Sequence, residues 1–145
     1  MIIKSILVVC TGNICRSPVG ERLLQSYLHG VNVVSAGIRG LEGYPADPHA
    51  QTICLKHGIS LEGHSGRKLT SSMLRQADLI LTMENNQLNH ISTIAAEVRG
   101  KSMLFGRWLN VKEIPDPYRK SEEAFEYVFG LLDGASKEWA RRLNR

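Results

Sequence analysis

Short apolar runs alternate along this chain with stretches in which apolar residues recur every three or four positions. Four runs have the length and the aliphatic composition of strands that are buried on both faces of a sheet. They cover residues 6–9, 31–34, 79–83 and 103–105. The stretches between them predict helices. These cover residues 18–28, 48–57, 70–76, 88–100 and 125–143. The alternation predicts an α/β fold with a doubly wound parallel sheet.

Two of these helices have a good capping residue followed by proline at the first helical position. Ser17 precedes Pro18, and Asp47 precedes Pro48. The helix after Ser17 follows the first strand with only one loop between them. Ligands of doubly wound sheets bind beyond the carboxyl ends of the strands, so this loop is the first candidate for a binding site.

Composition and charge narrow the class of protein. The 145 residues are 43% hydrophobic and 22% charged, which indicates one globular domain over residues 1–145. No apolar run approaches the ~20 residues of a membrane span, so no membrane insertion is expected. The net charge of +4 suits an anionic substrate but is too small to indicate nucleic-acid binding.

Cysteine usage and the N-terminus indicate a cytoplasmic protein. The three cysteines, Cys10, Cys15 and Cys54, are too few and too unevenly spaced for a disulfide framework or a structural zinc site. The apolar start of the chain lacks the features of a signal peptide.

The loop at residues 10–18 has the composition of a phosphate cradle. It reads Cys-Thr-Gly-Asn-Ile-Cys-Arg-Ser-Pro. Successive backbone N–H groups in such a turn, together with the positive end of the next helix, can hold an anion. The planar guanidinium of Arg16 can bind two phosphate oxygens. The predicted phosphate-binding residues are Thr11, Gly12, Asn13, Ile14, Cys15 and Arg16.

Cys10 is the candidate nucleophile, because it would lie at the base of this cradle. The N–H groups, the helix dipole and Arg16 would stabilise its thiolate, and the hydroxyl of Ser17 could donate a hydrogen bond to it. A thiolate beneath a bound phosphoryl group is positioned for in-line attack, giving a phosphocysteine that water then hydrolyses. A buried cysteine beside an ordinary turn and a solvated arginine is the simpler alternative.

Residues 10–18 resemble the signature loop of the low-molecular-weight protein tyrosine phosphatases, and the resemblance covers essentially the whole chain. It includes residues 35–37, 61–64, 78–84 and 114–120. It is strongest to the bacterial branch associated with capsule and exopolysaccharide production. The resemblance implies a flavodoxin-like, four-stranded parallel sheet in the order 2-1-3-4 with helices on both faces, and no metal or cofactor. It also implies a phosphotyrosine protein as substrate, which in that branch is a membrane tyrosine autokinase with a tyrosine-rich tail.

The resemblance also implies which residue is the general acid. A phenolate leaving group has a pKa of ~10, so its departure benefits from protonation. Asp116 lies between Pro115 and Pro117, in the loop after the fourth strand. From the residues alone it is one of several loop acids, but it matches the acid motif of the family. Glu84 and Asp78 resemble acids near the site in relatives and stay as alternatives.

Further site residues follow from the same resemblance. Support of the loop by hydrogen bonds is implied for Asn13, Ser35 and His64. The candidate apolar walls for a phenyl ring are Ile14, Leu41, Tyr44 and Tyr118. Cys15 lies on the same curled loop as Cys10 and is predicted to form a reversible disulfide with it on oxidation, although simple packing beneath the loop is the alternative.

Two other functions compete with the phosphatase. An arsenate reductase on the same fold would need a relay of downstream cysteines, and only Cys54 is available, on a stripe that is predicted to pack. A phosphocarrier module of a sugar transport system would need neither Arg16 nor a general acid. The residues therefore favour the phosphatase.

Overall fold

Four parallel strands form one sheet in the computed structural model, which describes residues 2–144. The strands are β1 (Ser5–Cys10), β2 (Asn32–Gly37), β3 (Leu79–Thr82) and β4 (Ser102–Leu104). Their order is β2-β1-β3-β4, and each neighbouring pair is parallel. The predicted sheet and its order are therefore confirmed. β1 is central and buried from its second residue onward, which explains its uninterrupted apolar sequence.

Helices cover both faces of the sheet, as predicted. They are α1 (Arg16–Tyr27), α2 (Pro48–Lys56), α3 (Ser71–Gln76), α4 (Asn85–Ile94) and α5 (Glu122–Leu143). Alternate residues of β1 point to opposite faces. Ile6 and Val8 pack in the core with α1, α2 and α5, whereas Leu7 and Val9 pack with α3 and α4. Within residues 2–144, no helix has both the length and the apolar sequence needed to traverse a bilayer.

Several helix boundaries differ from the sequence prediction, and two of these differences have a local structural reason. α4 ends at Ile94, and a 3-10 helix at Ala96–Lys101 continues the apolar stripe, because Ala95 between them has a non-helical backbone (φ −149°, ψ 88°). α1 begins at Arg16, so Ser17 lies inside the helix and does not cap it. The predicted cap at Asp47 is confirmed, since its side chain accepts hydrogen bonds from His49 and Ala50.

Two contacts attach the long segment after β4 to the sheet. Trp139 of α5 donates a hydrogen bond from Nε1 to the carbonyl oxygen of Phe105, at 2.8 Å. The N–H of Ile114 donates to the carbonyl oxygen of Met83, just beyond β3, at 2.9 Å. The second contact holds the Pro115–Pro117 loop at the carboxyl edge of the sheet, where β1 also ends.

Candidate active site

The thiol of Cys10 lies at the base of the loop between β1 and α1, and two groups contact its sulfur. The N–H of Asn13 donates to Cys10 Sγ at 3.3 Å, and the hydroxyl of Ser17 lies 2.9 Å from it. Cys10 is only 2% exposed, at the bottom of an open cavity. Both groups can donate a hydrogen bond to the sulfur.

A single buried side chain, that of Asn13, shapes this loop. Its amide nitrogen donates to the hydroxyls of Ser17 at 2.8 Å and Ser35 at 3.0 Å. Its amide oxygen accepts the N–H of Arg67 at 3.0 Å, which fixes the orientation of the amide. Because the Ser17 oxygen accepts from Asn13, its own proton is free to point at Cys10. Asn13 also has a φ of 60°, a left-handed conformation that asparagine tolerates better than most residues.

A second layer of hydrogen bonds surrounds Asn13. His64 Nε2 lies 2.6 Å from the carbonyl oxygen of Asn13, and since a carbonyl only accepts, this nitrogen carries the proton. The Ser35 hydroxyl contacts Glu21 Oε1 at 2.7 Å. The structure therefore brings the three predicted supporting residues together. It adds Glu21 and Arg67, which the sequence analysis missed because nothing local separates them from other surface charges.

Arg16 is buried beside the loop with its guanidinium held from behind. Its Nη1 donates to Glu84 Oε1 at 2.8 Å and to the carbonyl oxygen of Ile114 at 2.6 Å. Its side chain is 2% exposed, yet it also lines the cavity above Cys10. The guanidinium is thus preorganised, so it can bind an anion in the cavity without a change of its position.

Asp116 lies at the mouth of the same cavity. Its Oδ2 is 3.8 Å from Arg16 Nη2, and its Oδ1 accepts the N–H of Tyr118 at 3.0 Å. The side chain is 48% exposed, so it can reach a ligand as well as solvent. Of the two alternative acids, Glu84 is engaged with Arg16.

Asp78, the other alternative acid, lies away from the cavity. It precedes β3, and its carboxylate accepts the N–H groups of Lys4 and Ser5 at 2.8 and 3.2 Å. The hydrogen bond from the Lys4 N–H is the main cause that lowers the pKa of Asp78, and the bond from Ser5 adds to it. They hold the carboxylate at the start of β1, whereas Cys10 ends that strand, roughly 16 Å away at ~3.3 Å per residue. The opposite edge of the sheet is out of reach of the cavity.

Most of the predicted loop and wall residues line the cavity together. The lining residues are Cys10, Thr11, Gly12, Ile14, Cys15, Arg16, Arg39, Leu41, Asp116 and Tyr118. Tyr44, a predicted wall, is not among them. It is 57% exposed, and its N–H donates to the carbonyl oxygen of Leu41. Arg39 was missed by the sequence analysis, since no motif surrounds it.

The two other cysteines are buried free thiols. Burial is the main cause that raises the pKa of Cys15 well above its ordinary value, and the charges of Asp47 and Cys10 add to it. Burial alone raises the pKa of Cys54 to about 12. Among residues 2–144, no group of three or more His, Cys, Asp or Glu side chains is arranged to hold a metal ion.

The carboxyl end of β2 packs directly against the loop. A Cβ atom at Gly37 would lie 2.6 Å from the carbonyl oxygen of Thr11 and 2.8 Å from the N–H nitrogen of Asn13. Only glycine leaves room for this approach, which accounts for the Ser35-Ala36-Gly37 sequence at the strand end.

Comparisons with known proteins point to one family. Residues 5–145 match the family described as low molecular weight phosphotyrosine protein phosphatase. The chain is 63% identical over 142 residues to Etp, a low molecular weight protein-tyrosine-phosphatase of Escherichia coli (strain K12). The alignment covers 98% of this chain and 96% of Etp.

Solved structures agree as well. The tyrosine phosphatase Wzb from Escherichia coli K30, in complex with sulphate, superposes with a TM-score of 0.97 at 55% identity, covering 99% of this chain and 100% of that one. Wzb of Vibrio vulnificus, in complex with benzylphosphonate, superposes with a TM-score of 0.94 at 48% identity, covering 97% and 99%.

Replacing Gly37 with alanine should damage the loop. The added methyl group would push against the backbone of Thr11 and Asn13, so we expect Gly37→Ala to weaken vanadate binding at least ~10-fold and to lower the free energy of unfolding by about 1–3 kcal/mol. Calorimetric titration and urea unfolding measure the two effects. Gly130→Ala is the matched control, because its Cβ meets no atom within 4 Å. Equal vanadate affinity in both variants would contradict the steric argument.

Proposed function

The chain belongs to the low molecular weight phosphotyrosine protein phosphatase family, and we propose that it hydrolyses phosphotyrosine in proteins through a phosphocysteine on Cys10. One observation carries the proposal: Cys10 Sγ contacts the N–H of Asn13 and the hydroxyl of Ser17 in the cavity that Arg16 and Asp116 also line. Nucleophile, anion-binding groups and acid therefore face one space.

In the first step the Cys10 thiolate attacks phosphorus and an S–P bond forms. The bond between phosphorus and the tyrosyl oxygen breaks, and Asp116 gives its proton to the departing phenolate. The loop N–H groups and the guanidinium of Arg16 stabilise the negative charge on the phosphoryl oxygens.

In the second step water attacks the phosphocysteine. The Asp116 carboxylate that remains from the first step accepts a proton from this water. The S–P bond breaks, phosphate leaves, and the thiolate is again stabilised by Asn13 and Ser17. Ser17 thus acts on the leaving sulfur, which explains why its hydroxyl is directed to Cys10 rather than to the end of α1.

The walls of the cavity support an aromatic substrate. Ile14, Leu41 and Tyr118 line it above the loop and offer apolar surface to a phenyl ring. The relative from Vibrio vulnificus was crystallised with benzylphosphonate, a phosphonate on a benzyl group. We expect a phosphoserine side chain to be too short to bring its phosphate to Cys10, which is 2% exposed at the base of the cavity.

An arsenate reductase is less well supported. Its cysteine relay would require Cys54, which is fully buried on α2 with its pKa raised to about 12 by burial. Cys54 also does not line the cavity of Cys10, whereas Cys15 does. A phosphocarrier would leave the buried Arg16 and the Asp116 loop without a role.

We carry the cellular partner over from the family branch. The proposed substrate is the tyrosine-rich tail of a membrane tyrosine autokinase of exopolysaccharide production, met by this protein in the cytoplasm. Dephosphorylation of such a kinase by the purified protein supports the assignment. If the protein hydrolyses phosphotyrosine peptides but not the phosphorylated kinase, the proposed partner is refuted, whereas the proposed reaction is not.

The nucleophile is tested by Cys10→Ser. The variant should lose turnover of phosphotyrosine peptides by about 10³-fold or more, because a hydroxyl is not ionised at neutral pH. It should still bind vanadate, since the cradle is mostly backbone. Cys54→Ala is the matched control and should keep both properties. Substantial turnover by Cys10→Ser, or equal rates of the parent protein on phosphoserine and phosphotyrosine peptides, would refute the proposal.

The acid is tested by Asp116→Asn across a series of aryl phosphates. The rate should fall by ~10²–10⁴-fold for phenols of high pKa and much less for acidic phenols, because only a basic phenolate needs the proton. The parent protein should show a nearly flat dependence. Asp78→Asn, at the far edge of the sheet, should resemble the parent. A flat dependence in Asp116→Asn would move the role to another acid such as Glu84.

Oxidation tests the predicted role of Cys15. Peroxide should convert the Cys10 thiolate to a sulfenic acid, and the Cys15 thiol should then form a disulfide with loss of water. Mass spectrometry should find the Cys10–Cys15 disulfide, reversed by dithiothreitol. In Cys15→Ser, sulfinic acid on Cys10 should accumulate, whereas Cys54→Ala should behave as the parent. Sulfinic acid on Cys10 of the parent, with Cys15 reduced, would indicate that Cys15 only packs beneath the loop.

A further inference from the structure

Arg39 is an exposed cation on the wall of the cavity, and the proposed mechanism does not use it. Its N–H donates to the carbonyl oxygen of Thr11 at 2.9 Å. The N–H of Leu41 donates to the carbonyl oxygen of Gly12 at 3.1 Å. These two bonds hold the segment after β2 against the outer side of the phosphate loop, so the position of Arg39 at the rim is fixed by backbone contacts.

Arg39 and Arg16 differ in what they can still bind. Arg16 is buried, and its guanidinium is occupied by Glu84 and the carbonyl oxygen of Ile114. Arg39 takes part in none of the salt bridges found within residues 2–144. Its guanidinium is therefore available to an anion that enters with a ligand, and its planar fork suits carboxylate and phosphate equally.

A second positive charge lies near the mouth. The guanidinium of Arg119 is 5.4 Å from the ring centroid of Tyr118, which is itself a lining residue. Arg39 and Arg119 thus place two cations near the mouth, which suits a peptide that carries negative charge beyond the phosphate at Cys10.

We propose that Arg39 is a specificity residue that binds an anionic group flanking the phosphotyrosine, either the carboxylate of an acidic residue or the phosphate of a second phosphotyrosine. The inference rests on the proposed function, because a phosphotyrosine in the cavity is what brings its neighbours to the rim. One or two residues of extended peptide span about 3.5–7 Å, a range that a long arginine side chain can cover.

Three phosphotyrosine peptides that differ at one flanking position test this. The position holds glutamine, glutamate or a second phosphotyrosine, and kcat/KM is measured for each. The parent protein should prefer glutamate to glutamine by about two- to fivefold, as expected for an exposed ion pair, and the second phosphate by about tenfold. Both preferences should shrink at high salt.

Arg39→Ala should reduce both preferences to about one, and Arg39→Lys should keep a part of them, because an ammonium has the charge without the fork. Arg99→Ala removes the same charge from the exposed 3-10 helix and should retain the preferences of the parent. A preference for only one of the two anions identifies that anion as the ligand.

Three results would overturn the inference. The first is a parent protein without preference, and the second is a preference that survives in Arg39→Ala. The third is a loss by Arg39→Ala of the same factor on all three peptides, which would mean that Arg39 contacts the transferred phosphate. Hydrolysis of none of the peptides by the parent would instead refute the proposed function, on which the inference rests.

Discussion

The hydrogen bonds of Asn13 are the interaction on which the rest of the site depends. Its backbone N–H donates to Cys10 Sγ, and its carbonyl oxygen accepts a hydrogen bond from His64. Its side-chain amide donates to Ser17 and Ser35 and accepts the N–H of Arg67. A buried polar group with every donor and acceptor bonded is costly to disturb, since any rearrangement would leave one of them unpaired. The loop is therefore held in one shape, although its backbone at Asn13 is left-handed.

The site is divided between a buried rear and an exposed front. Arg16, Ser17 and Asn13 are almost fully buried. Asn13 donates a hydrogen bond to Ser17, and Arg16 is held by Glu84 and the carbonyl oxygen of Ile114. Asp116, Tyr118 and Arg39 lie at the mouth, where solvent reaches them. Groups proposed to act on phosphorus are thus rigid, while groups proposed to meet the leaving group and the peptide can adjust to different partners.

Much of the fold could be predicted because its signals are local. The continuous apolar sequence of β1 reflects burial on both faces, and Asp47-Pro48 is a capping signal that needs only neighbouring residues. The loop chemistry was also visible, since the spacing of Cys10 and Arg16 coincides with a preceding strand, with Gly12 inside the loop and with Ser17-Pro18 before a helix. The prediction of Ser17 as a helix cap was wrong, because its hydroxyl contacts the thiol of Cys10 at the end of β1.

The contacts that could not be predicted join residues far apart in the chain. Glu21 contacts Ser35 across a helix and a strand, Arg67 meets Asn13 from a distant loop, and Arg39 belongs to the cavity only through the pairing of its backbone with Thr11. Nothing in the composition around these residues differs from that of a solvated surface. Their placement depends on tertiary contacts that no periodicity records.

The backbone of Ile114 joins the acid loop to both the sheet and the phosphate cradle. Its N–H bonds the carbonyl oxygen of Met83, and its own carbonyl oxygen accepts from the buried guanidinium of Arg16. Many enzymes bring a catalytic acid into position by closing a lid over the substrate, and lid opening then limits turnover. Here the segment two residues before Asp116 is anchored without any ligand. Asp116 therefore lies two residues from a fixed point of the backbone, and its position at the cavity does not require this segment to close over a substrate.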